Sequence, residues 1–287
     1  KDAGMVTDAI WTDIDGDGTS DLITVAEWGN PVVMKNNGRR LSRMTTSLDS
    51  LSGWWKSVQV ADLDNDGDMD IILGNKGTNV PYPAAENRPV KLWVNDFDEN
   101  GDIEQIITVS QGNEDYPIHM KKELTAQLPG LKKKNLKAAE YAARSIKELF
   151  PSSAIRNSIV KSVSYSESVI AVNNGNGNFS LIRLPARVQW SSVNEIRCVD
   201  LNGDGFMDMI MGGNDFEYKP QFSRQDASQG HILINDGDMN FTWTDFNNSG
   251  FFVRDQVRGI DVLSDKSGNR FVLVALNNSR PRLFKLN

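Results

Sequence analysis

Acidic residues recur at a fixed spacing in four short segments of the chain. Each segment has Asp at position 1, Asp or Asn at positions 3 and 5, Gly at position 6, and Asp or Glu at position 9. The segments span residues 13–21, 62–70, 96–104 and 200–208, and are called loops 1 to 4. Glycine at position 6 permits a sharp turn that a larger residue would resist. The spacing therefore predicts that the oxygen atoms of each loop face one common point.

Calcium is the cation that suits such loops, because it takes six to eight hard oxygen ligands, whereas Mg²⁺ keeps more water and zinc prefers His or Cys. We expect about four Ca²⁺ ions, one for each loop, with side-chain oxygens from positions 1, 3, 5 and 9 and the backbone carbonyl of position 7. The expected ligands are Asp13, Asp15, Asp17, Thr19 and Asp21; Asp62, Asp64, Asp66, Asp68 and Asp70; Asp96, Asp98, Asn100, Asp102 and Glu104; and Asp200, Asn202, Asp204, Phe206 and Asp208.

The residues around the loops predict strands and disfavour an EF-hand. An EF-hand needs a bidentate Glu at position 12 between two helices, but the residues there are Thr24, Leu73, Ile107 and Met211. Apolar residues alternate before each loop, as in Val58 and Val60, and a short apolar run follows it, which is typical of strands. Each repeat is therefore predicted to be a strand, a calcium loop and a second strand.

Three further segments carry the signal of a tight hairpin. Asn-Gly or Asp-Gly follows a β-rich run at 36–38, 173–175 and 235–237, and these residue pairs tolerate the positive φ that a two-residue turn requires. Two hairpins make one four-stranded sheet, and such sheets repeated along a chain indicate a β-propeller. We expect an all-β fold over residues 1–287, with about four to five four-stranded blades. The sequence leaves open whether the hairpin of loop 3 opens a third blade or completes the second.

Two segments depart from this pattern. The turn over 261–268 occupies the place of a calcium loop without its spacing, so the last blade is predicted to be metal-free. Residues 117–155 contain helix-forming residues and are predicted to be a small α-helical insertion, with an apolar stripe between Leu131 and Phe150 that includes Leu136. Its lysine-rich face fits either a solvated surface or a surface that binds a partner.

Composition excludes several classes of protein. The net charge of −7, from 38 acidic and 31 basic residues, argues against general affinity for nucleic acid. No apolar run is long enough for a transmembrane helix, and the single Cys198 excludes an internal disulfide framework. Residues 1–5 are not a signal peptide, so either the chain is cytoplasmic or a leader has been removed.

The repeated Asp-x-Asp-x-Asp-Gly-x-x-Asp units, from about Asp8 to Asn248, resemble the FG-GAP/VCBS repeats of integrin-α-like propellers. More narrowly, the segments 95–105, 122–134 and 224–230 look like those of the large secreted ASPIC/UnbV-type proteins of Bacteroidetes. This resemblance implies a surface-exposed or periplasmic propeller that forms the C-terminal part of a longer chain. It also implies calcium ligands at positions 1, 3, 5, 7 and 9.

Catalytic residues are not evident, so we do not expect an enzyme. His119, His231 and Cys198 are interpreted as structural residues, and no nucleophile elbow or phosphate-binding loop occurs. Trp11 and Trp93 are expected in the core, whereas the remaining tryptophans are candidates for a glycan platform. These candidates are Trp28, Trp54, Trp55, Trp190 and Trp243.

The expected function is that of a calcium-stabilised module for protein interaction or surface assembly, located extracellularly, on the cell surface or in the periplasm. Calcium loops of extracellular modules bind with Kd on the order of 10⁻⁴–10⁻³ M, so cytosolic calcium would leave them empty. The alternatives are a carbohydrate-binding surface protein and a calcium-dependent polysaccharide lyase or hydrolase. The partner, whether protein or glycan, is not identified by the sequence.

Overall fold

The computed structural model describes residues 4–134, 137–218, 222 and 224–286, so Leu136 of the predicted helical stripe lies outside the described residues. The chain divides into two compact units. The larger unit combines Lys1–Pro81 with Ser166–Asn287, and the smaller unit is Tyr82–Tyr165. The smaller unit is therefore an insertion in the sequence of the larger one.

The described elements follow one another in this order. The larger unit begins with β1 (Met5–Thr12), β2 (Asp21–Gly29), β3 (Val32–Asn36), β4 (Leu41–Arg43), β5 (Gly53–Trp54), β6 (Ser57–Ala61) and β7 (Asp70–Gly74). The smaller unit contains β8 (Val90–Asn95), β9 (Glu104–Gln111), β10 (Glu114–Pro117), α1 (Lys121–Gln127), α2 (Leu131–Lys134), α3 (Ala138–Ala142), α4 (Ile146–Leu149), α5 (Ser152–Asn157) and β11 (Ile159–Val163). The larger unit continues with β12 (Val169–Asn173), β13 (Phe179–Arg183), β14 (Val193–Val199), β15 (Asp208–Gly213), β16 (His231–Asn235), β17 (Phe241–Thr244), α6 (Phe246–Ser249), β18 (Val257–Ser264), β19 (Arg270–Leu276) and β20 (Arg282–Lys285).

The strands form antiparallel sheets, which confirms the predicted all-β class. Sheet 1 has the order β1-β2-β3-β4, with β5 also pairing with β2, and sheet 2 has the order β6-β7-β12-β13. Sheet 3 is β14-β15-β16-β17, sheet 4 is β18-β19-β20, and the sheet of the smaller unit is β10-β9-β8-β11. Sheets 1 and 3 each consist of a loop hairpin followed by an Asn/Asp-Gly hairpin, as the sequence predicts.

Sheet 2 is assembled from two distant parts of the sequence. Its first hairpin, β6-β7, precedes the smaller unit, and its second hairpin, β12-β13, follows it. The junction pairs Ile72 with Ile170 in an antiparallel register. The hairpin that carries loop 3 therefore belongs to a separate sheet, and sheet 2 is completed by strands that lie about a hundred residues further along the chain.

The second strands of sheets 2 and 3 are covered on both faces. Every residue of β7 and of β15 is buried, which explains why both strands consist of continuous apolar runs rather than alternating ones. A core of apolar side chains, including Leu63, Ile170, Ile196 and Met209, joins sheets 2 and 3. A second core, including Ile210, joins sheets 3 and 4.

The first strands of the four sheets of the larger unit lie side by side. Asp8 of β1 accepts the Val58 N–H of β6 at 2.9 Å. The Ser57 hydroxyl of β6 donates to the Val193 carbonyl of β14 at 2.9 Å, and the side chain of the next residue in β14, Asn194, donates to the carbonyl of Val257 in β18 at 3.3 Å. The sheets are therefore arranged in the order 1, 2, 3 and 4.

Glycines allow neighbouring sheets to approach closely. A Cβ atom on Gly74, at the end of β7, would lie 2.5 Å from the Val193 carbonyl oxygen of sheet 3. A Cβ atom on Gly212 of β15 would lie 2.6 Å from the Val257 side chain of sheet 4. Both glycines are required by packing between sheets rather than by an unusual backbone angle.

The smaller unit has its own apolar core, which includes Trp93, Phe97, Leu124, Ile146 and Phe150. Within the predicted helical insertion over 117–155, the described part between Leu131 and Phe150 is divided into three short helices, α2, α3 and α4. One cause is local capping: the Glu148 carboxylate accepts the Ser145 N–H at 2.8 Å, which favours the start of a new helix there.

Candidate metal centres

Each acidic loop connects the first strand of a hairpin to the second. Loop 1 joins β1 to β2, loop 2 joins β6 to β7, loop 3 joins β8 to β9, and loop 4 joins β14 to β15. Position 2 of each loop is an apolar residue, and Ile14, Leu63 and Phe97 are buried there. This side chain anchors the loop to the core, and the polar residues around it remain near the surface.

The position-1 aspartate organises each loop through backbone hydrogen bonds. In loop 1, the Asp13 carboxylate accepts the N–H groups of Asp17 at 3.1 Å and of Gly18 at 2.7 Å. Loops 2 and 3 repeat both hydrogen bonds, and loop 4 replaces the first with one from Gly203. The side chain at position 5 accepts the N–H of position 7 in all four loops. Loops 1 to 3 therefore share one hydrogen-bonding scheme, from which loop 4 differs in one hydrogen bond.

The position-9 acid is buried and ties the loop to the sheet. Asp21 accepts the N–H groups of Ile14 at 3.4 Å and of Asn36, on β3, at 2.7 Å. The equivalent sets in loops 2 and 4 are Asp70 with Leu63 and Asn173, and Asp208 with Leu201 and Asn235. Glu104 of loop 3 accepts the Phe97 N–H at 2.8 Å. This acid therefore has a structural role in the absence of any ion.

Three loops bring acid oxygens together at the spacing that one cation requires. The groups are Asp13, Asp15 and Asp21; Asp62, Asp64 and Asp66; and Asp96, Asp98 and Glu104, with one oxygen of each acid within 4.8 Å of the others. Two oxygens that bind the same Ca²⁺ at 2.3–2.6 Å can be at most about 5 Å apart. The oxygen-only donor set and its spacing therefore fit calcium.

The remaining predicted ligands stand apart from these groups. Asp17 and Asp70 are not members of the groups in loops 1 and 2, and Asp68 and Asp102 occupy position 7, where only the backbone is expected to bind. Within the part of the chain that the structure describes, loop 4 forms no group of three acids. Its position 3 is Asn202, whose side-chain amide donates to Asp204 at 2.7 Å, so loop 4 has the weakest set of charges.

Loop 1 contains a basic side chain that the sequence analysis missed. Lys35 on β3 forms a hydrogen-bonded ion pair with Asp15, and its Nζ lies 3.2 Å from Asp17 Oδ2. Lys35 holds the pKa of the Asp17 carboxyl below its usual value, and the two aspartates raise the pKa of Lys35 to about 12. The ammonium therefore neutralises part of the charge that a cation would otherwise neutralise.

Burial opposes ionisation of several acids in the other loops. It raises the pKa of Asp70 to about 6, with Asp64 and Asp66 adding to the effect. Burial likewise raises the pKa values of Asp64 and Asp208. In contrast, backbone hydrogen bonds lower the pKa of Asp200, and the one from the Gly203 N–H has the largest effect. A bound cation would favour the ionised form of each acid.

Asparagines of the Asn/Asp-Gly hairpins contact the acidic loops, which the hairpin signal alone did not reveal. The Asn173 amide donates to the Met69 carbonyl of loop 2 at 3.2 Å, and also to the Ile14 carbonyl of loop 1 at 3.0 Å. Asn235 repeats this pattern with loop 4 and loop 2. Each of these asparagines therefore links the loop of its own sheet to the loop of the preceding sheet.

Other predicted residues have mixed outcomes. Trp93 is buried as expected, but Trp11 is 56% exposed, so the prediction that it belongs to the core is wrong. It lies on β1, whose side chains are largely exposed. His231 is buried and contacts the Ser228 hydroxyl and the Trp243 indole N–H, each at 3.2 Å. Burial lowers the pKa of His231 to about 4 and raises that of the Cys198 thiol to about 12, which agrees with structural roles for both.

Two candidate tryptophans flank an arginine on the larger unit. The Arg187 guanidinium lies 4.2 Å from the centre of the Trp243 ring and 5.6 Å from that of Trp190. Trp190 is 46% exposed, and all three residues line a small hollow of about 80 Å³. Trp54 and Trp55 are buried and so do not provide a platform.

Comparison with known proteins agrees with the repeat pattern. Residues 13–73 match the family model described as an FG-GAP-like repeat, and this range contains loops 1 and 2 and most of the strands that follow them. The match supports an FG-GAP repeat protein with a β-rich, repetitive fold. No curated protein matches the chain. In the described part of the chain, no helix has the length and apolar character needed to cross a membrane.

Proposed function

We propose that the four sheets of the larger unit are blades of a β-propeller. The support is their order: consecutive first strands are joined by hydrogen bonds, as in the pairs Asp8–Val58 and Ser57–Val193. Each of sheets 1 to 3 also carries an acidic loop between its first and second strands. In a propeller, the first strands surround a central axis and the blades pack face to face. Four blades would be at the lower end of the four to five four-stranded blades expected from the sequence, and sheet 4 has three described strands instead of four.

We further propose that the four loops hold Ca²⁺ and that the ion is structural. The observation that carries this proposal is the common hydrogen-bonding scheme, which directs the acids of three loops to one point each. Without a cation, three carboxylates within 4.8 Å of one another repel. All strong ligands of a loop come from nine consecutive residues, so the ion would fix the separation and register of the two strands that the loop joins.

The function that follows is that of a calcium-stabilised module for protein interaction or surface assembly in an extracellular, cell-surface or periplasmic location. The FG-GAP-like match and the resemblance to secreted ASPIC/UnbV-type proteins support this proposal. Calcium loops of extracellular modules bind with Kd on the order of 10⁻⁴–10⁻³ M, so such loops fill only where calcium is abundant. Fractionation of the native host that places the protein in the cytosol would contradict the proposed location.

The decisive experiment on the metal compares two neighbouring acids of loop 2. Asp66 belongs to the Asp62–Asp64–Asp66 group, whereas the Asp68 side chain at position 7 does not. Isothermal titration with CaCl₂ should show one site fewer for Asp66→Ala, which removes the side-chain oxygen atoms, and an unchanged number for Asp68→Ala. Equal stoichiometry in the two variants, or no calcium bound by the wild type at millimolar concentration, would show that the proposed ligand set is wrong.

Carbohydrate binding is a second candidate, favoured by the exposed Trp190 beside Arg187 and Trp243. Sugars stack on exposed aromatic rings, and a guanidinium can hydrogen-bond to acidic glycans. A glycan array should then show binding that Trp190→Ala abolishes, with Trp11→Ala, at an exposed tryptophan outside this hollow, as the control. Binding that is lost equally in both variants would point to misfolding rather than to this platform.

A further inference from the structure

A cavity of about 540 Å³ lies in the larger unit, away from the acidic loops. In each of sheets 1 to 3, the second strand begins at an acidic loop. The cavity is lined in part by residues at the other end of these strands, or just after it. Asp21 begins β2 and Glu27 lies near its other end; Lys76 follows β7, and Asp215 follows β15. The cavity therefore lies at the edge of the sheets opposite to loops 1, 2 and 4. Its volume falls in the range of small-molecule sites, which is roughly 300–1,000 Å³.

Some of the charged groups that line the cavity already have partners. Lys56 forms a hydrogen-bonded ion pair with Glu27. The Arg258 guanidinium lies 3.3 Å from the Glu217 carboxylate. These two pairs neutralise themselves and leave the other charged groups of the lining available to a ligand.

Lys76 is the basic group with unused hydrogen-bonding capacity. Its side chain is only 18% exposed, and the nearest acid oxygen, on Asp215, is 4.0 Å from Nζ, beyond hydrogen-bond distance. The ammonium also lies 5.0 Å from the centre of the Tyr218 ring. Among the described residues, Lys76 Nζ donates no hydrogen bond, and burial lowers its pKa. A buried ammonium without hydrogen-bond acceptors is costly unless a ligand or water supplies them.

Glu195, on β14, is the acidic counterpart in the same cavity. The described residues place no basic group within 4.0 Å of its carboxylate, because the nearby Arg197 pairs with Asp261 at 3.0 Å. Burial raises the pKa of Glu195 to about 7, and the charges of Asp8 and Asp261 add to this effect. Asp8 itself lines the cavity and accepts two backbone N–H groups. This side of the cavity therefore has an excess of carboxylate.

We propose that this cavity binds a small zwitterion, an amino acid or a short peptide, with its carboxylate at Lys76 and its ammonium at Glu195 and Asp8. Lys76 has only the long 4.0 Å contact with Asp215, and no described basic group lies within 4.0 Å of the Glu195 carboxylate, so a single molecule that carries both charges supplies a close partner to each. The cavity is lined by five carboxylates and three basic groups, so a simple anion is repelled. A simple cation leaves the Lys76 ammonium without an acceptor. The proposal is independent of calcium and concerns a site at the opposite edge of the sheets.

Capped peptides test the two ends of the ligand separately. The probe is alanyl-alanine, compared by isothermal titration with its N-acetylated and its C-amidated forms. Because a hydrogen bond to a charged group contributes about 1.5–3 kcal/mol, each cap should weaken binding about tenfold or more. Glucuronate serves as the sugar-acid comparison and should not bind.

Two variants assign the ends of the peptide. Lys76→Met should lose the preference for the free carboxylate over the amide and keep the preference for the free amine. Glu195→Gln should show the reverse. Each result is a ratio of affinities within one protein preparation, so partial misfolding does not imitate it. The proposal is overturned if alanyl-alanine does not bind at millimolar concentration, if caps have no effect, if glucuronate binds more tightly, or if neither variant changes its ratio.

Discussion

Asn235 donates its side-chain amide to the backbone carbonyl of Leu63 over 2.7 Å, although the two residues are 172 positions apart in the chain. Asn235 ends the third strand of sheet 3, and Leu63 is position 2 of loop 2, in sheet 2. The same side chain also donates to the Met207 carbonyl of loop 4. The conformations of the two loops are therefore coupled through one buried amide.

The variant Asn235→Ala should lower the free energy of unfolding by about 1–3 kcal/mol, because it leaves buried carbonyl groups without donors. It should also weaken calcium binding at loop 2, whose ligands it does not touch. Asn36→Ala is the matched control, since Asn36 donates to the Ser20 carbonyl of its own loop and, among the described residues, to no other loop. Denaturant unfolding and calcium titration of both variants measure the difference. Equal effects would mean that the loops are independent.

The effect of Asp66→Asn on the stability of the protein should differ in sign between calcium-free and calcium-saturated conditions. In chelator, it relieves repulsion between carboxylates and should leave the melting temperature unchanged or slightly raised. In excess calcium, the wild type gains RT ln(1 + [Ca]/Kd), about 2.7 kcal/mol at a hundredfold excess over Kd, and the variant, which has one carboxylate fewer at loop 2, gains less. Differential scanning calorimetry with and without chelator measures both states. A chelator that leaves the wild-type transition unchanged would argue against a structural ion.

Lys35→Met should separate the role of the lysine from that of the ion in loop 1. Without calcium, removal of the Lys35 ammonium leaves Asp15 and Asp17 without their basic partner and should destabilise the protein. With calcium, the same variant should bind the ion more tightly, because no ammonium competes for the carboxylates. Calcium titration monitored by calorimetry checks this, with exposed Lys285→Met as the control. Weaker calcium binding in Lys35→Met would contradict the competition.

Glu195→Gln should alter how stability depends on pH. Burial in the folded protein raises the pKa of Glu195 from its ordinary value of 4.5 to about 7, so the native state binds a proton that the unfolded state has lost between these values. The stability contributed by this group is therefore complete below about pH 4.5 and is lost as pH rises towards 7. The variant should be more stable than the wild type at pH 8, by about 1–2 kcal/mol after allowance for solvent screening. The charged neighbours Asp8, Arg197 and Asp261 also influence this pKa, so the stabilities of the two proteins should be compared at moderate salt concentration. Parallel pH profiles for the two proteins would show that Glu195 titrates normally.

Gly74→Ala should disturb the contact between sheets 2 and 3. The added methyl group would meet the Ser57 hydroxyl of sheet 2 and would lie 2.5 Å from the Val193 carbonyl oxygen of sheet 3, so both must shift at a cost of about 1–3 kcal/mol. Gly130→Ala is the control, because nothing lies within 4 Å of its added Cβ. Urea unfolding of the two variants gives the comparison, and a neutral Gly74→Ala would mean that the interface is loosely packed.

The loops and hairpins were predictable because their chemistry is local. Nine residues fix the turn of loop 2, and an Asn-Gly pair fixes the turn after β12, so each can be identified without knowing its neighbours. The split of sheet 2 was not predictable, because Ile72 and Ile170 are nearly a hundred positions apart and local patterns do not show which distant strands pair. The exposure of Trp11 was missed for a similar reason: alternation predicts which face a residue shares, not whether another sheet covers that face.

The sequence also did not reveal which side chains link the loops or compete with the ion. Asn173 and Asn235 belong to patterns that predict a hairpin. These patterns do not indicate that both side chains also donate hydrogen bonds to the loop of the preceding sheet. The sequence shows Lys35 only as a polar residue of a strand, and its ion pair with Asp15 depends on the position of β3 beside loop 1. The cavity residues Lys76 and Glu195 are more than a hundred positions apart, and only the neighbouring positions of sheets 2 and 3 bring them to one site.

The smaller unit leaves the larger one after Pro81 and returns at Ser166, and the chain is already joined just outside those points by a 2.9 Å hydrogen bond from Gly77 N–H to the Ser166 carbonyl. The two ends of the inserted segment are thus held close together by the host fold itself. A junction whose two ends are already held together tolerates large changes in the length of the segment between them, since the closure of a loop costs little more as the loop grows. A short glycine-rich linker in place of residues 82–165 should therefore leave sheet 2 paired, and the position offers a natural place to graft an unrelated domain onto this scaffold.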